Sequence, residues 1–326
     1  MINTKQIPFF DYVVSEENFN EVESYHNFNF VVEKKENCFE IHFVNNIPAN
    51  MHYYVFNGKY SYCINEELLA DYIKDKGVEL TINDNWQQYQ NMKKKHDGML
   101  KHNKYNEILR ISLYDKLIVY VDHFDVIKIT DLFSINLNDA GDIIHNWIEK
   151  YEKLISEHQS HLCVELSSGL DTRSLAHFWK DDKIYNIYTK NDPDEIPIVQ
   201  QLCAKYFPNA KLVIGVKENN NEIITLSGKG ADMFVINSRK ADPSFYKNNI
   251  CNNNFKHLVK SICPYLDRDL ARINPNGTNF KVIMQYLLVP EYMDIPYKSF
   301  ARVPFIFTEE MREAAYEVIK HWGFTI

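Results

Sequence analysis

The sequence predicts an α/β protein in which a doubly wound parallel sheet follows a smaller, β-rich α+β domain. Strand-like runs dominate residues 1–135, whereas strand-like and helical segments alternate after residue 136. Strands that alternate with helices favour parallel pairing through crossover helices. We therefore place a domain boundary near residues 130–140, which gives domains of residues 1–135 and 136–326.

The first domain is predicted to be a mostly antiparallel β layer with added helices. A helix is predicted over residues 66–76, where apolar side chains share one stripe, and a second one over residues 83–95. Clusters of Asn, Gly and charged residues separate short runs of strand length and composition. These strand-like runs are residues 28–32, 38–44, 52–56, 108–113 and 116–121.

The second domain opens with an amphipathic helix over residues 139–157, whose apolar residues recur at three- and four-residue steps. A parallel sheet of the kind predicted here binds ligands at the carboxyl ends of its strands. The segments that follow the helix are, as strand, helix, strand, helix and strand, residues 162–166, 174–180, 184–188, 196–206 and 211–216.

The composition excludes several classes of protein. Hydrophobic residues make up 45% and charged residues 25%, which is typical of a globular chain. The formal net charge of −8 argues against nonspecific nucleic-acid binding. None of the six cysteines forms a C-x-x-C pair, so we expect reduced thiols and no zinc knuckle. The N-terminus lacks a signal-peptide core, and no run reaches the roughly 20 apolar residues of a membrane span, so we expect a cytoplasmic protein.

Residues 167–172, of sequence SSGLDT, follow the first strand of the second domain directly. Small residues let backbone N–H groups close around an anion, and a following helix N-terminus adds partial positive charge. The hydroxyls of Ser167, Ser168 and Thr172 can donate further hydrogen bonds. Asp171 is unsuited to a bare anion site, but it suits Mg²⁺, which carboxylates and phosphate oxygens hold together. The alternative is an ordinary strand-to-helix turn with N-cap residues.

This segment resembles the pyrophosphate loop of the N-type ATP pyrophosphatases, which reads LSGGLDS in the asparagine synthetase family and LSSGLDT here. Ser168 replaces a glycine, and its Cβ would cost about 1 kcal/mol if the position needed a positive φ. Thr172 keeps the hydroxyl of the serine that it replaces. The resemblance implies that ATP contacts Leu166, Ser167, Ser168, Gly169, Asp171 and Thr172.

Two later segments follow in the order found in that family. Ile187 and Tyr188 match the end of the second strand, which lies against adenine. Residues 227–232, SGKGAD, resemble the SGEGAD loop that faces the pyrophosphate loop. The resemblance implies that Ser227 and Gly228 contact the nucleotide and that Asp232 and Asp171 both hold Mg²⁺.

Lys229 stands where asparagine synthetases carry the glutamate associated with the acceptor, so we expect a catalytic role for Lys229 in a different substrate pocket. Residues 264–268, PYLDR, resemble the PFLDx segment of the family. Residues 296–304 resemble its RPKxGFxVP segment, with Ser299 in place of the glycine. The matching Lys298 is implied to be catalytic, contacting phosphate and stabilising charge in the transition state.

The resemblance covers roughly residues 138–310 and implies an adenine nucleotide alpha-hydrolase-like fold that binds ATP and Mg²⁺. The implied reaction is amide-bond formation: a carboxylate is adenylated, pyrophosphate leaves, and an amine or ammonia is transferred. Position 2 is Ile2 and the first cysteine is Cys38, so the N-terminal cysteine of glutamine-dependent relatives is missing. We interpret the first domain as a degenerate remnant of a glutaminase domain. The expected partners are small-molecule carboxylate and amine substrates, without nucleic acid or membrane.

Two other hypotheses stay open. The same class of nucleotide-binding domain also adenylates tRNA bases, although the acidic balance and the unpaired cysteines weigh against that activity here. The chain could instead be a noncatalytic relative that binds a nucleotide or a partner protein. Ser168, Lys229 and Ser299, which depart from the pattern of the family, favour this second hypothesis.

Overall fold

The computed structural model shows a mixed α/β protein with a parallel five-stranded sheet and additional antiparallel sheets. The described residues up to 127 form an N-terminal unit, and those from 139 onward form a C-terminal unit. The residues that the structure describes are 6–26, 30–43, 50–91, 103–112, 116–127, 139–157, 162–179, 186–215, 224–228, 261–267, 269–270, 273, 280–298 and 304–325.

The strands of the N-terminal unit are β1 (Val14–Ser15), β2 (Tyr25–His26), β3 (Phe30–Lys34), β4 (Phe39–Phe43), β5 (Asn50–Phe56), β6 (Lys59–Cys63), β7 (Leu109–Ser112), β8 (Lys116–Val119) and β9 (Phe124–Ile127). They form two antiparallel sheets, of order β1-β6-β5-β7 and β2-β3-β4-β8-β9. The prediction of a mostly antiparallel β layer is therefore confirmed, as two sheets.

An aromatic core joins these two sheets. Phe9 makes edge-on contacts with Phe39 of β4, at 5.7 Å between ring centroids, and with Tyr62 of β6, at 6.5 Å. The Tyr62 hydroxyl donates a hydrogen bond to the carbonyl oxygen of His123 at 2.9 Å, which adds a polar link between the sheets. Aromatic pairs of this kind contribute about 1 kcal/mol each beyond the burial of their surface.

The described residues of the N-terminal unit also form two helices, α1 (Glu66–Asp75) and α2 (Asp84–Asn91). Asn65 caps α1, accepting a hydrogen bond from the backbone N–H of Glu67 at 3.1 Å. Leu69 and Ile73, on the stripe that the sequence predicts, are buried. The helix predicted over residues 66–76 is thus confirmed; the last part of the one predicted over 83–95 lies outside the described residues.

The hairpin of β5 and β6 is missing from the sequence-based prediction, which has no strand over residues 59–63. The two strands are joined by Asn57 and Gly58, which have φ values of +50° and +76°. Positive φ at both central positions is typical of the type I′ turn, for which Asn-Gly is a preferred sequence. The dipeptide between two aromatic-rich runs was the signal that could have predicted this hairpin.

His52 of β5 gives the N-terminal unit a specific dependence on pH. Burial, with a smaller contribution from the charge of Arg110, lowers the pKa of the imidazole to about 3. The unfolded chain, with an ordinary histidine pKa near 6.5, binds more protons than the folded chain between these two values. The contribution of His52 to stability is therefore present above pH 6.5 and decreases by about 1.4 kcal/mol per pH unit as the pH falls toward 3.

We expect the His52→Gln variant, neutral at every pH, to lose stability less steeply than the wild type below pH 6.5. Burial raises the pKa of Glu66 to about 7, and its contribution fades as the pH rises from about 4.5, so its slope has the opposite sign. The difference between wild type and variant isolates His52. Urea unfolding between pH 5 and 7.5 measures it, with the exposed His26→Gln as the matched control. Parallel profiles for His52→Gln and wild type would contradict the prediction.

The strands of the C-terminal unit are β10 (Leu162–Glu165), β11 (Asn186–Thr189), β12 (Lys211–Ile214), β13 (Ile224–Leu226), β14 (Ser261–Ile262), β15 (Tyr297–Lys298) and β16 (Pro304–Phe305). The first five form a parallel sheet of order β12-β11-β10-β13-β14, and β15 pairs with β16 antiparallel. The chain starts at the centre of the parallel sheet and builds outward on one side, then on the other. Its order consequently reverses between β10 and β13.

The helices of the C-terminal unit are α3 (Ala140–Ser156), α4 (Leu170–Arg173), α5 (Ile196–Tyr206), α6 (Phe280–Leu288) and α7 (Glu309–His321). The helices predicted over residues 139–157 and 196–206 are confirmed. The α-helix predicted over residues 174–180 is instead a 3₁₀ helix over Ser174–Trp179, and the four residues of α4 run directly into it. A helix this short aligns few peptide dipoles, so the expected positive charge at its N-terminus is weaker than a full helix would supply.

The large residues of α3 attach it to the segment that follows β14. Trp147 donates its indole N–H to the carbonyl oxygen of Pro264 at 2.9 Å and packs against Phe178 and Tyr265. Asp267, 2% exposed, accepts hydrogen bonds from Lys150 and from the Tyr151 hydroxyl. This segment therefore fixes the end of β14 to α3.

No helix in the described ranges is both long enough and apolar enough to cross a membrane. The cysteines of these ranges, Cys38, Cys63, Cys163, Cys203 and Cys263, are all free thiols, as expected from their spacing.

Candidate functional site

The loop of residues 167–172 follows β10 and runs into α4, and hydrogen bonds to its own hydroxyl groups hold it in shape. The backbone N–H of Ser167 and the Ser167 hydroxyl both contact the Thr172 hydroxyl oxygen at 2.8 Å. The backbone N–H of Gly169 donates to the Ser167 hydroxyl oxygen at 3.1 Å. The Ser167 and Thr172 hydroxyls, which the sequence suggests as donors to a ligand, thus form hydrogen bonds within the loop and determine its shape.

Ser168 does not strain this loop. In the part of the chain that the structure describes, Phe9 and Asn57 are the non-glycine residues with positive φ. Ser168 therefore adopts backbone angles that any residue tolerates, and its replacement of the glycine of the family carries no penalty of that kind. Gly169, with φ of −80°, needs no glycine-specific conformation either.

Two buried hydroxyls lie just beyond the carboxyl ends of neighbouring strands without a hydrogen-bond partner among the described residues. Ser168 follows β10 and Thr189 ends β11; each is 1% exposed. Buried polar groups are nearly always hydrogen-bonded, and a lone hydroxyl costs about 1–3 kcal/mol. The pair therefore marks a place where a polar ligand can supply the missing partners.

Gly228 brings the loop after β13 into contact with the 167–172 loop. A Cβ at Gly228 would lie 2.9 Å from both the carbonyl carbon and the carbonyl oxygen of Asp171, and 3.0 Å from Thr172 Cγ2. Only glycine permits this approach. Ser227 and Gly228, the described start of the second loop, thus lie beside the 167–172 loop, where the strand order reverses between β10 and β13, the point at which open parallel sheets bind ligands.

Lys281 of α6 forms an ion pair with the Asp171 carboxylate. The side chains of Lys281 and Asp171 are 11% and 25% exposed, so the pair is largely shielded from water. Sequence patterns alone gave Lys281 no role. Asp171 is therefore next to a fixed positive charge, in a position that was expected to hold a metal ion.

Asp232 and Lys229, the predicted partners of Asp171 at the metal and the acceptor, lie outside the described residues. In the ranges that the structure covers, no group of three or more His, Cys, Asp or Glu residues is arranged to hold a metal ion. The convergence of Asp171 and Asp232 on one metal ion thus stays a prediction.

Lys298 of β15 contacts acidic residues that follow β11. Its ammonium lies 2.7 Å from Asp192 Oδ2 and 3.7 Å from Asp194 Oδ2. The hydrogen bond to Asp192, together with the charges of the neighbouring carboxylates, raises the pKa of Lys298. The side chain is 10% exposed and positively charged at neutral pH, as a phosphate ligand requires, and it is held at the carboxyl end of the sheet.

Arg173 connects the 167–172 loop to the segment that carries Lys298. Its fully buried guanidinium donates to the carbonyl oxygens of Ile295, at 2.9 Å, and Pro296, and lies 3.9 Å from the ring centre of Tyr297. Burial lowers its pKa to about 10, which leaves it charged at neutral pH. The sequence signal for this contact is an arginine directly before a mostly apolar segment, residues 174–179, and it was not used in the prediction.

The remaining predicted residues sit within the sheet itself. Leu166 and Ile187 are at most 1% exposed, so their side chains belong to the core. The backbone N–H of Leu166 donates to the carbonyl oxygen of Tyr188 at 2.9 Å, and the Tyr188 side chain is partly exposed. Of these three residues, Tyr188 is the one whose side chain can contact a bound molecule.

No protein-family model matches the sequence, and no curated protein matches it significantly.

Proposed function

We propose that this protein is an ATP-dependent ligase that forms amide bonds. In this proposal it adenylates a carboxylate, releases pyrophosphate and transfers ammonia or an amine, without glutaminase activity of its own. The C-terminal unit then has an adenine nucleotide alpha-hydrolase-like fold, doubly wound around the parallel sheet, as the resemblance to the asparagine synthetase family implies.

The observation that carries this proposal is the contact of Gly228 with Asp171 and Thr172. It supports a single site built from two loops, at the position where open parallel sheets bind nucleotides. The partnerless hydroxyls of Ser168 and Thr189 fit the same proposal, since phosphate and ribose oxygens can accept their hydrogen bonds. Tyr188 offers an aromatic side chain for adenine at the end of β11.

The loop residues and the charged residues of the site have different roles in the proposed reaction. Ser167, Gly169 and Thr172 bind the phosphates of ATP, and Lys298 stabilises negative charge as the bond to pyrophosphate breaks. Asp171 and Asp232 would hold Mg²⁺, which would supply positive charge for the leaving pyrophosphate. Lys281 neutralises Asp171 in the absence of the metal ion and is well placed to turn toward the phosphates when they bind.

The reaction itself proceeds in two displacements. A carboxylate oxygen attacks the α-phosphorus of ATP, the bond between the α-phosphorus and the bridging oxygen breaks, and that oxygen leaves with pyrophosphate. An amine nitrogen then attacks the acyl carbon, the bond from that carbon to the AMP oxygen breaks, and the nitrogen loses a proton. The products are an amide, AMP and pyrophosphate.

Exchange of labelled pyrophosphate into ATP tests the first displacement without knowledge of the amine. The wild-type protein is incubated with ATP, Mg²⁺ and a panel of carboxylic acids that contains amino acids, dicarboxylic acids and aromatic acids. We expect exchange above background with one class of acid and none without acid. Absence of exchange across the whole panel, with a folded protein, would count against the ligase.

A noncatalytic nucleotide-binding protein is the second candidate. It is favoured by the ion pairs of Asp171 with Lys281 and of Lys298 with Asp192, because the predicted metal ligand and the predicted catalytic lysine each already have a partner of opposite charge. Calorimetric titration with ATP and Mg²⁺ separates the two candidates. ATP binding without pyrophosphate exchange, whichever acid of the panel is present, supports the noncatalytic protein. ATP binding with exchange supports the ligase.

A further inference from the structure

Glu165 is a carboxylate at the centre of the candidate site that the sequence analysis does not use. It ends β10, the middle strand of the parallel sheet, opposite Tyr188 of β11. On the other side, Val164 pairs with Leu226, so that Ser227 follows β13 beside Glu165. Glu165 thus stands at the carboxyl edge of the sheet, next to the point where the strand order reverses.

Ser227 fixes the orientation of this carboxylate. The Ser227 hydroxyl donates a hydrogen bond to Glu165 Oε2, and Ser227 is 1% exposed. Its backbone N–H in turn donates to the carbonyl oxygen of Ile262 at 3.0 Å, which ties the serine to β14. Ser227 is thus bonded to β14 through its backbone and to Glu165 through its hydroxyl, so it positions the Glu165 side chain, which is only partly buried.

A carboxylate in this position must act on a group other than the phosphates. Like charges repel, and Glu165 precedes the 167–172 loop, which is proposed to bind the phosphates of ATP. Asp171 already provides the carboxylate proposed for Mg²⁺. Of the two other reactants, the carboxylate substrate is repelled in the same way as the phosphates. The amine approaches as an ammonium ion or must lose a proton when it attacks, and either state favours a nearby carboxylate.

We propose that Glu165, oriented by Ser227, binds the attacking ammonia or primary amine and accepts its proton. This inference rests on the proposed ligase function. The amine nitrogen forms a bond to the acyl carbon of the adenylate, a proton moves from the nitrogen to a Glu165 oxygen, and the bond from carbon to the AMP oxygen breaks with its electron pair on AMP. The proton then passes from Glu165 to water.

Comparing the two displacements in the Glu165→Gln variant tests this assignment. We expect ATP–pyrophosphate exchange, with the acid that supports it in the wild type, to stay within about threefold of the wild-type rate. Amide formation from ammonia in a single turnover, measured by rapid quench, should fall on the order of 10²-fold, the usual contribution of a general base. Adenylate trapped with hydroxylamine should accumulate to the wild-type level.

Two further variants serve as controls. Glu165→Asp keeps the charge on a shorter side chain, and we expect it to recover part of the rate of amide formation. Glu317→Gln removes an exposed carboxylate of α7 and should change neither step. The inference is overturned if Glu165→Gln lowers exchange as much as amide formation, or if it changes neither. A wild-type protein without exchange would instead refute the ligase proposal, and this inference with it.

Discussion

The Asp171→Asn variant is expected to lose ATP–pyrophosphate exchange on the order of 10³-fold relative to the wild type. Asparagine has nearly the same shape as aspartate but carries no charge, so it holds Mg²⁺ far more weakly. Metal ions at transferring phosphoryl groups contribute several kcal/mol to the stabilisation of the transition state, which corresponds to a loss of this size. The exchange assay measures it with the acid that is active in the wild type.

The same substitution removes one charged partner of Lys281 and is expected to lower the free energy of unfolding by about 2 kcal/mol, because an ion pair that is largely shielded from water is lost. A low exchange rate could then reflect partial unfolding. The double variant with Asp171→Asn and Lys281→Met removes both charges and should recover the thermal stability of the wild type. If it recovers exchange as well, Asp171 serves only to neutralise Lys281, and its assignment to the metal is wrong.

A matched variant controls for the loss of a carboxylate in general. Asp142 lies in the first turn of α3, exposed and in the same unit of the chain as Asp171. The Asp142→Asn variant should leave the exchange rate unchanged. An equal loss of exchange in Asp142→Asn and Asp171→Asn would point to an effect of net charge.

The Gly228→Ala variant is expected to have the second largest effect, because it separates the two loops of the site. The added methyl group would lie 2.9 Å from the carbonyl carbon and oxygen of Asp171, and backbone atoms cannot rotate away as a side chain can. Overpacking of this kind costs about 1–3 kcal/mol of stability. A displacement approaching 1 Å at a reacting centre can lower the rate about 10²-fold.

Thermal unfolding and pyrophosphate exchange together measure the effect of Gly228→Ala. We expect a lower melting temperature and an exchange rate reduced about 10- to 100-fold. Gly169→Ala, in the opposite loop, is the steric control for stability, because its added Cβ would be in ordinary contact, 3.4 Å from Ser167 Oγ. A wild-type melting temperature and exchange rate in Gly228→Ala would show that the loops do not meet as described.

The elements that the sequence predicts best are those whose apolar pattern is regular. The helix predicted over residues 139–157 is α3, which spans Ala140–Ser156, because its apolar face recurs over almost five turns. Three strands of the parallel sheet, β10, β11 and β12, were also predicted from their apolar composition. Strand β10 is almost wholly buried, so a continuous apolar run is what its position requires, whereas β12 is partly exposed.

The elements that the sequence analysis misses depend on features other than periodicity. Strand β6, of sequence KYSYC, is indicated by the Asn-Gly turn that precedes it and by its alternating aromatic residues, two signals that the sequence-based prediction did not use. The segment of residues 174–179 has a helical composition but forms a 3₁₀ helix. There the Ser174 hydroxyl contacts Tyr265, the Arg173 guanidinium reaches Ile295, and these tertiary contacts outweigh local propensity.

The amino-acid sequence alone was enough to predict the class of the fold, the position of the 167–172 loop after a strand, and the composition of the loop that begins at Ser227. Which charges meet follows from the three-dimensional arrangement: Lys281 with Asp171, and Lys298 with Asp192, 106 residues apart. This arrangement also placed Ser227 against Glu165 and Gly228 against Asp171. Local patterns reflect periodic burial within one element, whereas ion pairs and close approaches arise between elements that only the strand order brings together.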